Sequence, residues 1–212
     1  MDADLIKSKT FLFAIAAVCL LEALHLFLSS QWQSVSPLAI IGIIRVLEII
    51  TLMVLIRFQP LSLNVTPLRI KRSVQNGLIW SFIIGSLSVL IFALLLLVGF
   101  NPLKFIQETA FGSHDHLLLY LLVGCFIGPI AEEMFFRGVL FRFIRRWGFF
   151  NAMIFSTFWF SLLHLGGHSV PILPIIGGFL FALIYEFEKS LLPVIIVHSL
   201  GNGMLFFIQL FW

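Results

Sequence analysis

Long apolar blocks, about 16 to 25 residues each and free of period-two alternation, constrain the fold of this chain more than any other feature. Only 11% of the 212 residues are charged and 60% are hydrophobic, whereas a soluble domain carries about 25% charged residues. A chain so poor in charge cannot clothe itself in a water-facing surface, so lipid is its solvent. In hydrocarbon every backbone polar group must be satisfied internally, which leaves helices or a closed barrel. Block length and the missing alternation select helices. The expected fold is all-α, a polytopic transmembrane helix bundle of about seven spans. These fall at Thr10–Leu28, Pro37–Ile56, Val74–Val98, Leu117–Phe141, Phe150–Leu165, Val170–Phe187 and Leu191–Phe211. The fifth and sixth are short, and the Gly and Pro residues around them allow tilting, breaking or pairing as a hairpin.

The basic residues give an independent check. With the N-terminus inside, the inner segments hold Lys7, Lys9, Arg57, Arg69, Lys71, Arg72, Arg142, Arg145, Arg146 and Lys189, and the outer ones only Lys104. Arg45 and Arg137 fall within spans. Cytoplasmic segments of membrane proteins are enriched in Lys and Arg, and one span too many or too few would scramble this asymmetry for half the chain. The expected topology is N-in, C-out. The net charge of +3 thus reflects orientation and does not point to nucleic acid. Cys19 and Cys125 lie in apolar blocks, where buried thiols are expected rather than a disulfide. The first apolar run resembles a signal peptide but is long and lacks a small-x-small cleavage site, so a retained signal-anchor is expected. The stretch Arg57–Ser73, with Pro60 and Pro67, divides the chain. Residues 1–73 give two N-terminal spans and a basic cytoplasmic loop; 74–212 give a five-helix membrane domain whose candidate chemistry lies within 117–207.

An ionisable side chain at bilayer depth costs about 2.5 to 3.5 kcal/mol on insertion scales, so each needs a reason. The fourth span contains Glu132, Glu133 and Arg137. Glu133 and Arg137 are four apart, share a helix face and pair, whereas Glu132 is rotated by about 100° and is free to act. Pro129 upstream leaves the carbonyl of Cys125 without its helical donor, and a bend there would open a cavity beside Glu132. Phe160 and His164 share a face of the fifth span, as do His198 and Asn202 of the seventh. Gly201 and Gly203 flank Asn202 and would admit a neighbouring helix or a substrate backbone. A lone intramembrane His is as often helix-to-helix glue as a site, and a Glu–Arg pair is more often a clamp. Three such motifs on three spans are hard to explain as glue.

Glu132-Glu133 with Arg137, Phe160 with His164, and His198 with Asn202 resemble the three motifs of the CAAX-prenyl-endopeptidase and bacteriocin-processing (CPBP, or Abi) family of glutamate intramembrane proteases. Pro129-Ile130-Ala131, Phe136-Arg137-Gly138 and Leu191-Leu192-Pro193 match as flanks, over about Leu117 to Phe207. The resemblance implies that Glu132 is the general base and His164 its partner in activating a water. It implies that His198 and Asn202 donate to the tetrahedral oxyanion, with Glu133, Arg137 and Phe160 supporting the site. Amide hydrolysis needs a water deprotonated by a carboxylate and fixed donors where negative charge develops, which suits this division. No cofactor is expected; a three-ligand zinc site is the rival, against which stand the absence of a His-Glu-x-x-His helix and the poor affinity of Asn for zinc. The compact form is closer to prokaryotic members, which implies an integral protein of a prokaryotic cell (inner) membrane. The expected partners are lipid and a membrane-anchored protein or peptide substrate, such as a C-terminal sorting signal or a CAAX-like tail. A bacteriocin-immunity or peptide-binding scaffold is the non-enzymatic alternative; a proton-coupled transporter lacks the inverted repeat it would need.

Arg45 and Glu48 read as a self-neutralising pair within the second span, Glu22 and His25 as an outer helix end that reaches headgroups, and Glu186 and Glu188 as a solvated helix end. His114-Asp115-His116 and His168 read as solvated loop. At 1.5 Å per residue, His198 and Glu133 lie roughly 12 and 14 Å from the inner ends of their spans and His164 roughly 21 Å, so the expected site leans outward.

Overall fold

The computed structural model describes residues 5–32, 34–57, 67–103, 117–165 and 170–211. The tract His114-Asp115-His116, His168 and Lys104 lie outside the described residues. The described residues contain no strand and form seven helices of 14 residues or more. These are α1 (Ser8–Gln31), α2 (Pro37–Arg57), α3 (Pro67–Leu97), α4 (Leu117–Trp147), α5 (Phe149–Leu162), α6 (Ile172–Glu188) and α7 (Leu191–Phe211). Five of them, α1, α2, α3, α4 and α7, are long and apolar enough to cross a membrane. The expected fifth and sixth spans are shorter: α5 has 14 residues and α6 has 17. At 1.5 Å per residue they rise roughly 21 and 25 Å, less than the roughly 30 Å hydrocarbon core.

Two boundaries differ from expectation for local reasons. Helix α3 begins at Pro67 rather than Val74, so Arg69, Lys71 and Arg72 are helical; proline at the first helical position has its φ preset and no N–H to leave unpaired. Helix α5 stops at Leu162, and His164 sits in the turn that follows, its N–H donating to the carbonyl of Ser161.

Helix α4 is the hub. It packs against α2, α5, α6 and α7, while α1 covers α2 and α3 covers α7. Helices α2 and α4 run parallel, with Gly42 level with Val123 and Ile56 level with Gly138. Between α4, α5 and α6 lies an aromatic core in which Phe136 meets Phe160, Phe160 meets Phe181 and Phe141 meets Tyr185, all edge to face.

The C-terminal end of α6 is tied down rather than solvated, contrary to the reading of Glu186 and Glu188. Glu188 accepts from Asn76 (2.6 Å) and Trp80 (2.9 Å) of α3, and Glu186 pairs with Arg145 (2.8 Å) and Lys189 (2.7 Å). Carboxylates at an apolar helix end find fixed donors on the neighbouring helices, which a single sequence cannot reveal.

Along α4 the helix type changes repeatedly. Val123–Ile127 and Phe136–Phe141 are π-helical, and Gly128–Phe135 between them is α-helical. Such π segments are rare and concentrate at functional sites. Pro129 explains the first. Having no N–H, it cannot continue the ladder, and the chain widens so that Gly128 N–H bonds Val123 O, five residues back. In that register the acceptor that Pro129 orphans is Gly124, not Cys125 as an α-register predicts.

Candidate active site

The short α-helical stretch between the two π segments carries Glu132 and Glu133 on different faces, as expected. Glu133 and Arg137 are 0% exposed. Arg137 Nη1 lies 3.0 Å from Glu133 Oε2 and 3.1 Å from Oε1, so their four-residue spacing does close the ion pair. A buried pair is tolerated only when further hydrogen bonds satisfy it. Here Arg137 Nη2 donates to Gly178 O of α6 (3.1 Å), and its guanidinium lies over the rings of Phe160 (4.9 Å) and Phe181 (5.2 Å). Gly178 is required for this approach, because a Cβ there would fall 2.8 Å from Thr157 Cγ2 of α5. Phe160 thus packs beneath Arg137, and Gly178 is a neighbour of Arg137 that no motif marked.

Glu133 does more than brace Arg137. His198 Nδ1 lies 2.7 Å from Glu133 Oε1, and both side chains are buried. The carboxylate only accepts when ionised, so Nδ1 carries the proton and donates. His164 is fixed in the same way: its Nδ1 lies 2.7 Å from Phe160 O, a carbonyl that can only accept. Both imidazoles therefore carry hydrogen on Nδ1 and turn Nε2 toward the remaining carboxylate. Glu132 Oε2 lies 3.8 Å from His164 Nε2 and 3.7 Å from His198 Nε2. These separations are too long for direct hydrogen bonds and suit one water touching all three groups. Glu132 and His164 are partly open, at 20% and 35%, while His198 is 5% exposed.

Asn202 stands one turn beyond His198 on α7, and its Nδ2 donates to Gly124 O at 2.9 Å. That is the carbonyl orphaned by Pro129, so one amide hydrogen of Asn202 caps the π segment and the other remains. The glycines beside it divide: Gly203 approaches Cys125 Sγ, but a Cβ on Gly201 would meet nothing within 4 Å among the described residues. Gly201 therefore does not serve close packing by a neighbouring helix. The candidate residues thus converge, Glu132, His164 and His198 around one point, Glu133, Arg137 and Phe160 behind it, and Asn202 at its side.

The hub helix is interrupted at the Glu pair, and two imidazoles from neighbouring segments turn to one carboxylate inside a bundle of apolar helices. Residues 114–204 match the family model described as type II CAAX prenyl endopeptidase Rce1-like, so this segment is similar to the CAAX-protease-like proteins. A protein of Mycoplasma capricolum described as uncharacterized is 33% identical over 83 residues, which cover 37% of this chain and 23% of that protein. The chain thus spans about a quarter of that relative's length. No solved structure matches the chain.

Proposed function

We propose that this protein is an intramembrane endopeptidase of the glutamate type, hydrolysing a peptide bond near the membrane surface. The observation that carries the reading is the convergence of Glu132 Oε2 with the Nε2 atoms of His164 and His198 at 3.7–3.8 Å. Glu132 takes a proton from the water held there, the hydroxide attacks the scissile carbonyl, and Glu132 returns the proton to the leaving amine as the C–N bond breaks. His198, its Nδ1–H fixed on Glu133, faces the same point through Nε2. Together with the second amide hydrogen of Asn202 it meets the oxyanion. The substrate is a membrane-anchored protein or peptide, either a CAAX-like tail or a C-terminal sorting signal of an exported protein. The setting is a prokaryotic cell membrane, crossed seven times with the N-terminus inside; a single cysteine replacing Lys189 should then react only with reagents that reach the inner side.

Comparison of protein termini between cells carrying the wild type and Glu132→Gln, by mass spectrometry, tests the activity. A set of uncleaved C-termini in the variant is expected. A peptide-binding or immunity scaffold would instead leave all termini and its phenotype unchanged.

The chemistry requires no metal. Glu133 is occupied by Arg137 and His198, and Asn202 by Gly124, so the set left to a cation is Glu132 with two imidazoles, and chelation decides between that three-ligand rival and a water held by the same groups. Cleavage should survive exhaustive chelation; loss of activity restored specifically by zinc would overturn this.

A further inference from the structure

Outside the family-matched segment, α1 and α2 bring charged side chains together, of which Glu48 is buried and the others are partly exposed. Arg45 Nη1 lies 2.7 Å from Glu22 Oε1 and 2.6 Å from Glu48 Oε2, and Glu22 Oε2 lies 3.2 Å from His25 Nδ1. The expected Arg45–Glu48 pair is present, with Glu22 as a second acid on the same guanidinium nitrogen. Two carboxylates on one nitrogen hold the arm still, and among the described residues neither ion pair engages the Nη2 or Nε donors of the fork. Glu48 is 3% exposed, and among the described residues no group donates a hydrogen bond to its buried Oε1. An unmet buried acceptor is costly and calls for an explanation.

The cluster stands beside the candidate site. With Gly42 level with Val123 and Ile56 level with Gly138, Glu48 lies about one turn from Glu132 along α4, and the charges of Arg45 and Glu48 both act on Glu132. Three kinds of group could meet such a cluster. An anion would face the carboxylates of Glu22, Glu48 and Glu132, and a cation would face Arg45. An amide carries both complements and no charge: its C=O suits the guanidinium and its N–H suits Glu48 Oε1. Peptide groups in lipid must find partners, and a substrate unwound for cleavage has lost its own.

We propose that Arg45 and Glu48 are a docking pair for one backbone amide of the substrate next to the scissile bond. The inference rests on the peptidase reading above. It gives α1 and α2 a function, substrate positioning, that the matched segment lacks without them.

The test uses the full chain in detergent micelles with a quenched-fluorescent prenylated CAAX peptide as the probe. Arg45→Lys keeps the positive charge that Glu22 and Glu48 hold but loses the planar fork. It is expected to raise KM about tenfold, the scale of one lost hydrogen bond in a desolvated site, with kcat within about threefold. A second arm replaces each backbone amide flanking the scissile bond by an ester, which removes the N–H and weakens the acceptor. At the docked position the ester should raise KM for the wild type and add nothing further in Arg45→Lys, the non-additivity of groups that act together. A wild-type KM in Arg45→Lys means that Arg45 only neutralises its acids, and overturns the proposal. So does an ester series that leaves the wild-type KM flat, a result that stands even if Arg45→Lys fails to fold. Glu132→Gln separates the two levels: cleavage that depends on Glu132 with an unmoved Arg45→Lys sinks the docking pair alone. Absent cleavage of both this probe and a quenched-fluorescent sorting-signal peptide, or cleavage independent of Glu132, sinks the peptidase reading and the docking pair with it.

Discussion

Glu132→Gln should lower kcat for peptide cleavage by about 10²- to 10⁴-fold, the range a positioned general base supplies, while leaving the protein folded. The reason lies in how loosely Glu132 is held. Its nearest ring nitrogens are 3.7 and 3.8 Å away, its side chain is one-fifth exposed, and Glu133 rather than Glu132 anchors Arg137 and His198. The amide is isosteric, so His164 keeps its bond to Phe160 O and His198 keeps its bond to Glu133. Only the ability to take a proton is lost. KM should change little, because the ground-state contacts survive. The measurement is initial-rate kinetics on purified protein, with thermal unfolding as the folding control. A folded variant with more than about a tenth of wild-type kcat would place the base elsewhere, since no general-base contribution is that small.

Much of this arrangement is legible in the sequence because the signals are local. Apolar block length marks the helices, and four-residue spacing puts Glu133 with Arg137, as three-residue spacing puts Arg45 with Glu48. What escapes is set by register and by tertiary neighbours. Pro129 announces a disturbed ladder, but whether it orphans Cys125 or Gly124 depends on a π register chosen by packing, and only then does Asn202 acquire its partner. The link from His198 to Glu133 spans 65 residues, and the Gly178 carbonyl beneath Arg137 depends on the close passage of α5 over α6. The same blindness applies to Glu188, whose donors Asn76 and Trp80 are more than 100 residues away. Each of these contacts is made between helices whose individual patterns are uniformly apolar, so no periodicity foretells the pairing.

Arg137→Met should have the largest effect on stability of any single change in the site, about 3–5 kcal/mol, the cost of leaving one member of a buried ion pair uncompensated. Arg137 is fully buried, and its loss removes the donor to Glu133 Oε1, the cation paired with Glu133 Oε2, the donor to Gly178 O, and the cation above Phe160 and Phe181. Glu133 is then left with His198 as its one strong donor among the described residues. Two explanations of any accompanying loss of activity must be separated, unfolding of the site and misplacement of His198. The double variant Glu133→Leu with Arg137→Met separates them, since apolar replacement of a whole buried pair is often neutral or stabilising. Unfolding in detergent should show the single variant well below wild type and the double variant recovering most of the loss. Activity should not recover with it, because the leucine side chain would offer no acceptor to fix the Nδ1 proton of His198 and aim its Nε2 at Glu132. A single variant as stable as wild type would mean that the pair is not closed in the membrane. A double variant regaining both stability and cleavage would show that Glu133 supports the bundle but does not orient His198, and His164 would then stand as the only imidazole held in place for Glu132.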